Sequence, residues 1–429
     1  MRRLFIHVLP LAFAVCLLPG LSAAQVDIDA EGLPAQVTVG PMSQKRFQLA
    51  IAPVKCEGDA SVCDAVGKQL ARNFEMSTFF ELLDPKTFVA NMDRETLNDT
   101  SWADWRNVGA GHLVKVVVRG SGAVDLDMRF YEVLAQKPVA VKGQSASGLG
   151  AKAVHAAVDT FINSVIEAVT GQPGIFGSKL VYAVKTGQQT RGIGTVEMDG
   201  HGQGGMIGGD TISMLPSFAN GGVLYTSFRD GKPDLYIGSK KLTNNPWHYR
   251  GAAMGPSGTI AAALSKGSGT DIYLLDGGGN PTTRLTNGEG QNVTPSWSPD
   301  GSKIAFVSDR AGGPQIYVTG AGGGGASRVT MAGGYNSTPH WGKNGLIVFA
   351  AMTGAGSDIL TVDEGGGMKR ITQNQGTNTD PCWSPDGRYI AFVSTRDGAK
   401  HLYLSNEDGR WQFRITEKGG GFSTPRWGM

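Results

Sequence analysis

The sequence has little charge of one sign, few cysteines and, past its first two dozen residues, no long apolar run. Its 39 Lys and Arg are matched by 37 Asp and Glu, leaving a net charge of +2 and no block of like charge. That argues against nucleic acid as a partner and against a polybasic membrane surface. No stretch after residue 24 is long and apolar enough to span a bilayer as a helix. Motifs that carry chemistry are missing as well. Gly143-Gln144-Ser145-Ala146-Ser147 fails the nucleophile elbow at its last position. Glycine tracts such as Gly322-Gly323-Gly324-Gly325 lack the Gly-Lys-Ser/Thr ending of a phosphate loop and read as loop tips. There is no Asp-x-Asp-x-Asp-Gly calcium loop and no Cys/His spacing typical of zinc. His155, on a predicted helix, reads as a surface or boundary residue rather than a ligand. The expectation is a chain with no catalytic residues, no cofactor and no metal.

The amino terminus reads as an export signal over residues 1–24. Arg2 and Arg3 precede an apolar run from Leu4 to Leu18, and Ser22-Ala23-Ala24 offers small residues for cleavage before Gln25. Phe13-Ala14-Val15 before Cys16 is a poor match for lipid attachment. Three of the 4 cysteines then remain. In an oxidising compartment Cys56 and Cys63, seven positions apart, can form a disulfide; the alternative is two unpaired thiols near a helix start. Cys382, beside Trp383, reads as a small core hydrophobe.

What is abundant is glycine, with 63 residues, and an internal repeat. Pro295-Ser296-Trp297-Ser298-Pro299-Asp300-Gly301 returns as Pro381-Cys382-Trp383-Ser384-Pro385-Asp386-Gly387, with Pro339-His340-Trp341 between them. The apolar strands behind the turns match too, Ile304-Ala305-Phe306-Val307 against Ile390-Ala391-Phe392-Val393. Anchors at Phe218, Met254, Trp297, Trp341, Trp383 and Trp427 step by 36, 43, 44, 42 and 44 residues. That period, with four short alternating strands per repeat, predicts a six-bladed β-propeller over 175–429. The anchors read as wedges between blades. Ser423 to Trp427 is a first strand without a blade after it, and Lys179 to Val184 a second strand without a first. Pairing them closes the ring and leaves no open edge.

Ahead of the ring, residues 25–170 predict a small α/β domain. Phe47–Ala52 and His112–Val118 read as strands, with Asp125–Tyr131 and Val139–Gly143 as hairpin-like partners. Asp59–Phe80 and Gly150–Val169 read as helices with apolar faces at i, i+4 spacing. Residues 25 to about 40 are polar, irregular and expected to be mobile. The whole is a two-domain α+β chain, expected to be a monomer.

The repeat, the order of its parts and the join Val169-Thr170-Gly171-Gln172-Pro173-Gly174-Ile175-Phe176 resemble the TolB family, periplasmic components of the Tol–Pal envelope system. The resemblance implies a non-enzymatic interaction protein of the Gram-negative periplasm. It implies that the propeller binds the peptidoglycan-associated lipoprotein Pal, alongside other outer-membrane lipoproteins. It also implies that the amino-terminal segment, Gln25, Val26, Asp27, Ile28, Asp29, Ala30 and Glu31, meets TolA. The Pal face would be the connections between blades: His248, Tyr249, Asn292, Val293, Thr294, Asn336, Ser337, Asn378, Thr379 and Phe422. His248 and Val293 are the positions carried over from the family. The plain alternative is that Asn, Ser and Thr there form turns. Competing functions are an exported hydrolase or lyase, or a glycan-binding module, using the channel. Convergent carboxylates and His at the mouth would mark the hydrolase or lyase.

Overall fold

β-branched and aromatic residues alternating with polar ones build every sheet of the protein. The computed structural model describes residues 32–33, 46–89, 95–208, 211–267, 269–288, 290–354 and 356–428. The expected signal over 1–24 and the segment from Gln25 to Glu31 lie outside them.

The first part of the chain folds as β1 (Phe47–Ile51), β2 (Lys55–Gly58), α1 (Ala60–Met76), β3 (Phe80–Leu82), α2 (Trp102–Asn107), β4 (His112–Gly120), β5 (Val124–Glu132), β6 (Lys137–Val139), β7 (Ser145–Leu149) and α3 (Ala151–Thr170). The seven strands share one mixed sheet, in which β4 runs parallel to β1 and β2 and antiparallel to β5. Val124, Leu126, Met128 and Phe130, alternate residues of β5, pack on the buried faces of α1 and α3. Cys63, Val66, Leu70 and Phe74 come from α1, and Val158, Phe161, Ile162 and Val165 from α3. Asp59 caps α1 by accepting the Ser61 N–H at 2.8 Å. Gly171, at φ 77°, ends α3 in the left-handed conformation.

Three local expectations change. The first helix stops at Met76 rather than Phe80, because Thr78 turns at φ 64° and Phe80 is drawn into a strand parallel to β1. The expected partner strand at Val139–Gly143 shrinks to β6, and β7 supplies the remaining pairing with β5. A third helix, α2, covers the other sheet face, where Trp105 packs with Ala50, Leu113 and Tyr131. On that face Lys115 is buried against Glu95 and donates to the Thr96 and Asp99 carbonyls. Cys56 of β2 and Cys63 of α1 are joined by a disulfide, their Cα atoms 5.7 Å apart. Cys382 is a buried free thiol.

The rest is a ring of six four-stranded antiparallel sheets. The first blade takes its first strand from Ser423–Gly428, which pairs with Lys179–Lys185; Trp427 lies opposite Leu180 and Arg426 opposite Val181. Blades 2 to 6 begin at Ser213–Ala219, His248–Met254, Asn292–Trp297, Asn336–Trp341 and Asn378–Trp383. Each of these strands touches the next around a closed circuit. The anchors sit between blades as wedges, and glycine makes room for three of them. A methyl group on Gly255 would stand 2.8 Å from the Trp297 indole, one on Gly342 2.6 Å from Trp383, and one on Gly428 2.6 Å from Phe218. The degenerate copies Gly255–Gly258 and Gly342–Gly345 keep the turn of the full motif. In each, as at Ser298 and Ser384, one backbone N–H spans the hairpin and the closing glycine bonds back across the turn. The glycine at positive φ (Gly258, Gly301, Gly345, Gly387) is common to all four turns; in the full motif Asp300 and Asp386 add to it by accepting from Ser298 and Ser384 Oγ and from the Ser302 and Arg388 N–H.

The α/β unit rests on the ring face that carries these turns. Tyr389 Oη donates to the Ser77 carbonyl at 2.8 Å, Arg388 to Pro173 at 2.6 Å and Arg72 Nε to Asp199 at 2.9 Å. One apolar cluster runs through both parts, joining Phe74 and Phe161 to Tyr182, Tyr389 and Trp427.

Candidate interaction face at the channel mouth

The connections from one blade to the next emerge on the opposite face of the ring. Each first strand starts there and breaks register after its opening residues, at Met214/Ser217, Tyr249/Ala252, Val293/Ser296, Ser337/His340, Thr379/Cys382 and Ser423/Arg426. At each break one residue is left-handed: Leu215, Gly251, Thr294, Thr338, Asp380 and Thr424, with φ from 47° to 99°. Five of the six are not glycine, at a cost of about 1–2 kcal/mol each. The Oγ1 atoms of Thr294, Thr338 and Thr424 are buried without a hydrogen-bond partner. Strain repeated around a rim is a common property of functional sites.

The expected contact residues divide into two groups. His248 is exposed, and Val293, Thr294, Ser337 and Thr379 are half-buried at the rim. The other five are interior. Tyr249 is buried, its hydroxyl accepting from Asn245 Nδ2 at 2.7 Å, and Phe422 packs edge-on against Tyr182. Asn292, Asn336 and Asn378 are buried clamps between blades. Asn336 Nδ2 donates to Gln315 Oε1 at 2.7 Å and to the Ala332 carbonyl at 2.9 Å. Asn292 and Asn378 reach Asp271 and Asp358 of the preceding blades in the same way, at 3.1 and 3.4 Å. A threonine completes each clamp: Thr286, Thr330 and Thr372 donate to the same acceptors and accept a strand N–H. These five are corrected from partner contacts to ring-holding residues. The clue was present in register: the three Asn occupy the repeat position of Tyr249 and Phe422, both large core side chains.

Among exposed and polar loop residues, this face also carries large apolar side chains. Six large hydrophobic side chains are exposed among the described residues, and four lie on this face: Phe228 (37%), Met331 (67%), Tyr335 (43%) and Met352 (52%). Tyr335 and Met352 are linked, the Met352 N–H donating to the Tyr335 carbonyl at 2.9 Å. Nearby, Lys266 Nζ lies 3.8 Å over the Trp247 ring. Of these, Phe228, Met331 and Met352 carry no sequence signal, since nothing local separates an exposed methionine from a core one. Leu33 is buried on the same side, packed with Val293 and Ala332 and close to Gly333.

Comparison with known proteins follows the same division of the chain. Residues 166–429 match the model of the TolB beta propeller domain, and residues 35–139 that of the TolB amino-terminal domain. The Tol-Pal system protein TolB of Anaeromyxobacter dehalogenans (strain 2CP-C) is 35% identical over 273 residues, 61% of this chain and 62% of that one. Its namesake in Desulfosudis oleivorans is 33% identical over 296 residues, 66% and 65% of the two chains. The chain thus spans just under two thirds of these curated relatives. The crystal structure of TolB from Acinetobacter baumannii superposes with a TM-score of 0.75 at 21% identity, covering 90% of this chain and 97% of that one. At that identity the likeness is one of fold.

Proposed function

The chain belongs to the TolB family, and on that premise we propose that it is a periplasmic interaction protein of the Tol–Pal system rather than an enzyme. Its leader over 1–24 carries it out of the cytoplasm. The mouth of the propeller binds the peptidoglycan-associated lipoprotein Pal. The segment from Gln25 to Glu31 meets TolA. Together these contacts support outer-membrane integrity and envelope constriction at division.

The observation that carries the reading is Met331, Tyr335 and Met352 at blade 5, with Phe228 across the mouth on blade 2, all exposed on one loop face. Apolar and aromatic side chains left in water on one face are what a protein partner buries, and methionine adapts its shape to the partner. On the same face the exposed His248 and the half-buried Val293, Thr294, Ser337 and Thr379 supply a rim, mostly of neutral donors and acceptors. Purified Pal titrated against Met331→Asp, His248→Ala and Val293→Asp tests it. We expect Met331→Asp to weaken binding at least tenfold, and deletion of Gln25–Glu31 to abolish TolA binding while leaving Pal binding in place. Wild-type Pal affinity in all three variants, with unchanged circular dichroism, would move the site off this face.

A further inference from the structure

Where the α/β unit meets the ring, two elements far apart in sequence bring four ionisable side chains to one point. His155 and Asp159 stand one turn apart on α3; Glu197 and Asp199 end the third strand of blade 1 and open its turn. His155 Nε2 lies 3.5 Å from Asp159 Oδ2, 3.6 Å from Glu197 Oε2 and 3.0 Å from Asp199 Oδ2. Ligand-type atoms of His155, Asp159 and Glu197 all fall within 4.8 Å of one another.

The remaining lone pairs are tied down by amides. Gln69 Nε2 and Asn73 Nδ2 donate to Asp159 Oδ1 at 2.9 and 3.0 Å, and Asn73 Nδ2 also to Asp199 Oδ2 at 3.1 Å. The His201 N–H holds Asp199 Oδ1 at 2.9 Å, and the His201 ring stacks on His155 at 3.7 Å. That leaves Asp159 Oδ2, on a side chain only 4% exposed, with no hydrogen bond and turned toward His155. His155 Nε2 is likewise without one. Lys68, Arg72, Lys185, Arg414 and Lys418 line the adjoining cleft, but none is ion-paired with Asp159 or Asp199. Lys179 Nζ reaches only the outer oxygen of Glu197, at 4.0 Å, and Arg72 is spent on the Asp199 carbonyl. Three carboxylates therefore face one imidazole, and the group stays negative even with that ring protonated. Buried charge short of partners is costly.

The geometry points to a site for one divalent transition-metal ion, zinc by preference, held by His155, Asp159 and Glu197 with Asp199 beside them. Nitrogen and carboxylate oxygen are zinc donors, and bonds of ~2.0–2.1 Å set tetrahedral ligand atoms roughly 3.3 Å apart. The separations of 3.5 and 3.6 Å from His155 need only a small closure, while Asp159 and Glu197, within 4.8 Å of each other, would have to draw together on binding. An imidazole donor disfavours calcium and magnesium, which take oxygen. Gln69 and Asn73 act as the outer amides that fix a ligating carboxylate. A cleft of about 1050 Å³ reaches the cluster on the side of His155 and Asp199, beside Gln69, Asn73 and His201; Asp159 and Glu197 lie behind that lining. The bound ion would pin α3 to blade 1 and set the pose of the α/β unit on the ring. This is independent of the partner reading above, and lies across the ring from the mouth.

Isothermal titration of zinc into the chelator-treated full chain tests it, with melting temperature read in parallel. We expect one ion per chain, a higher melting temperature on loading, and at least tenfold weaker binding in both His155→Ala and Glu197→Gln. Glu197, with 19% of its side chain exposed, changes only one oxygen for an amide nitrogen in Glu197→Gln, which keeps the test valid if His155→Ala fails to fold. No saturable binding, or wild-type affinity in the folded variants, would overturn the site.

Discussion

Trp427 Nε1 donates to Ser178 Oγ at 2.9 Å, across 249 positions of sequence. The bond ties the borrowed strand of blade 1 to the residue that opens the rest of that blade. The same indole belongs to the apolar cluster that reaches into α1 and α3. Trp427→Ala therefore removes a wedge, a ring closure and a floor under the α/β unit together. We expect a loss of about 3–5 kcal/mol, read as a lower midpoint in urea. An unchanged midpoint would mean that the ring holds without this closure.

The Cys56–Cys63 bond fastens β2 to the first turn of α1. Closing so short a loop is worth roughly 2–3 kcal/mol in the chain-entropy account. Alkylation of denatured, unreduced protein lacking residues 1–24 should label Cys382 alone. Three labelled cysteines would rule the bond out, and reduction without any fall in melting temperature would make it dispensable.

His340 should make the ring sensitive to acid. Its Nδ1 accepts the Trp383 N–H at 3.1 Å across two blades, the place that Ser296 Oγ fills for Trp341. Burial, and then the charge of Arg426, push its pKa down to about 3. The folded ring thus stays neutral while the unfolded chain takes up a proton below about 6.5, so stability is complete above that pH and falls as pH drops toward 3. Some remaining solvent contact softens the penalty, and we expect ~1–2 kcal/mol lost between pH 7 and 5. His340→Asn keeps an acceptor and removes the proton site. Its unfolding free energy should vary less over that range, and an identical pH profile would clear His340.

Asn336 and Met331 should behave oppositely. Asn336→Ala removes the Asn336 donor from the Ala332 carbonyl and one of the two donors to Gln315 Oε1, leaving Thr330 alone on it, at a cost of about 1–3 kcal/mol. Met331→Asp lies in water already and should leave the melting temperature within a degree or so of wild type. Comparable destabilisation by both would contradict the division between clamp and exposed rim.

Much of the ring was legible because each blade repeats its own instructions. Pro-Asp-Gly marks a turn, the anchor marks a wedge, and the count of unpaired strands at the two ends of the array gives the closure. Legibility failed where a residue's role depends on something outside its repeat. Asn292, Asn336 and Asn378 looked like rim donors because Asn is common in turns; their acceptors, Asp271, Gln315 and Asp358, lie about twenty residues back in another blade. Thr78 ended a helix that apolar spacing carried on to Phe80, since periodicity records which face is buried and not where the backbone turns. His155 with Asp159, and Glu197 with Asp199, each look like ordinary solvated pairs. Only the docking of α3 on blade 1 makes them neighbours.

The borrowed strand also orders events in time. A chain that emerges amino-terminus first, from a ribosome or through a membrane pore, can build blades 2 to 6 as each hairpin appears. Blade 1 stays three-stranded, with a bare edge, until Trp427 arrives 249 positions after Ser178. Closing that gap brings together residues from opposite ends of the array, so it should be the slowest step, and a chain stopped short of Ser423 should be the form that aggregates through its open edge.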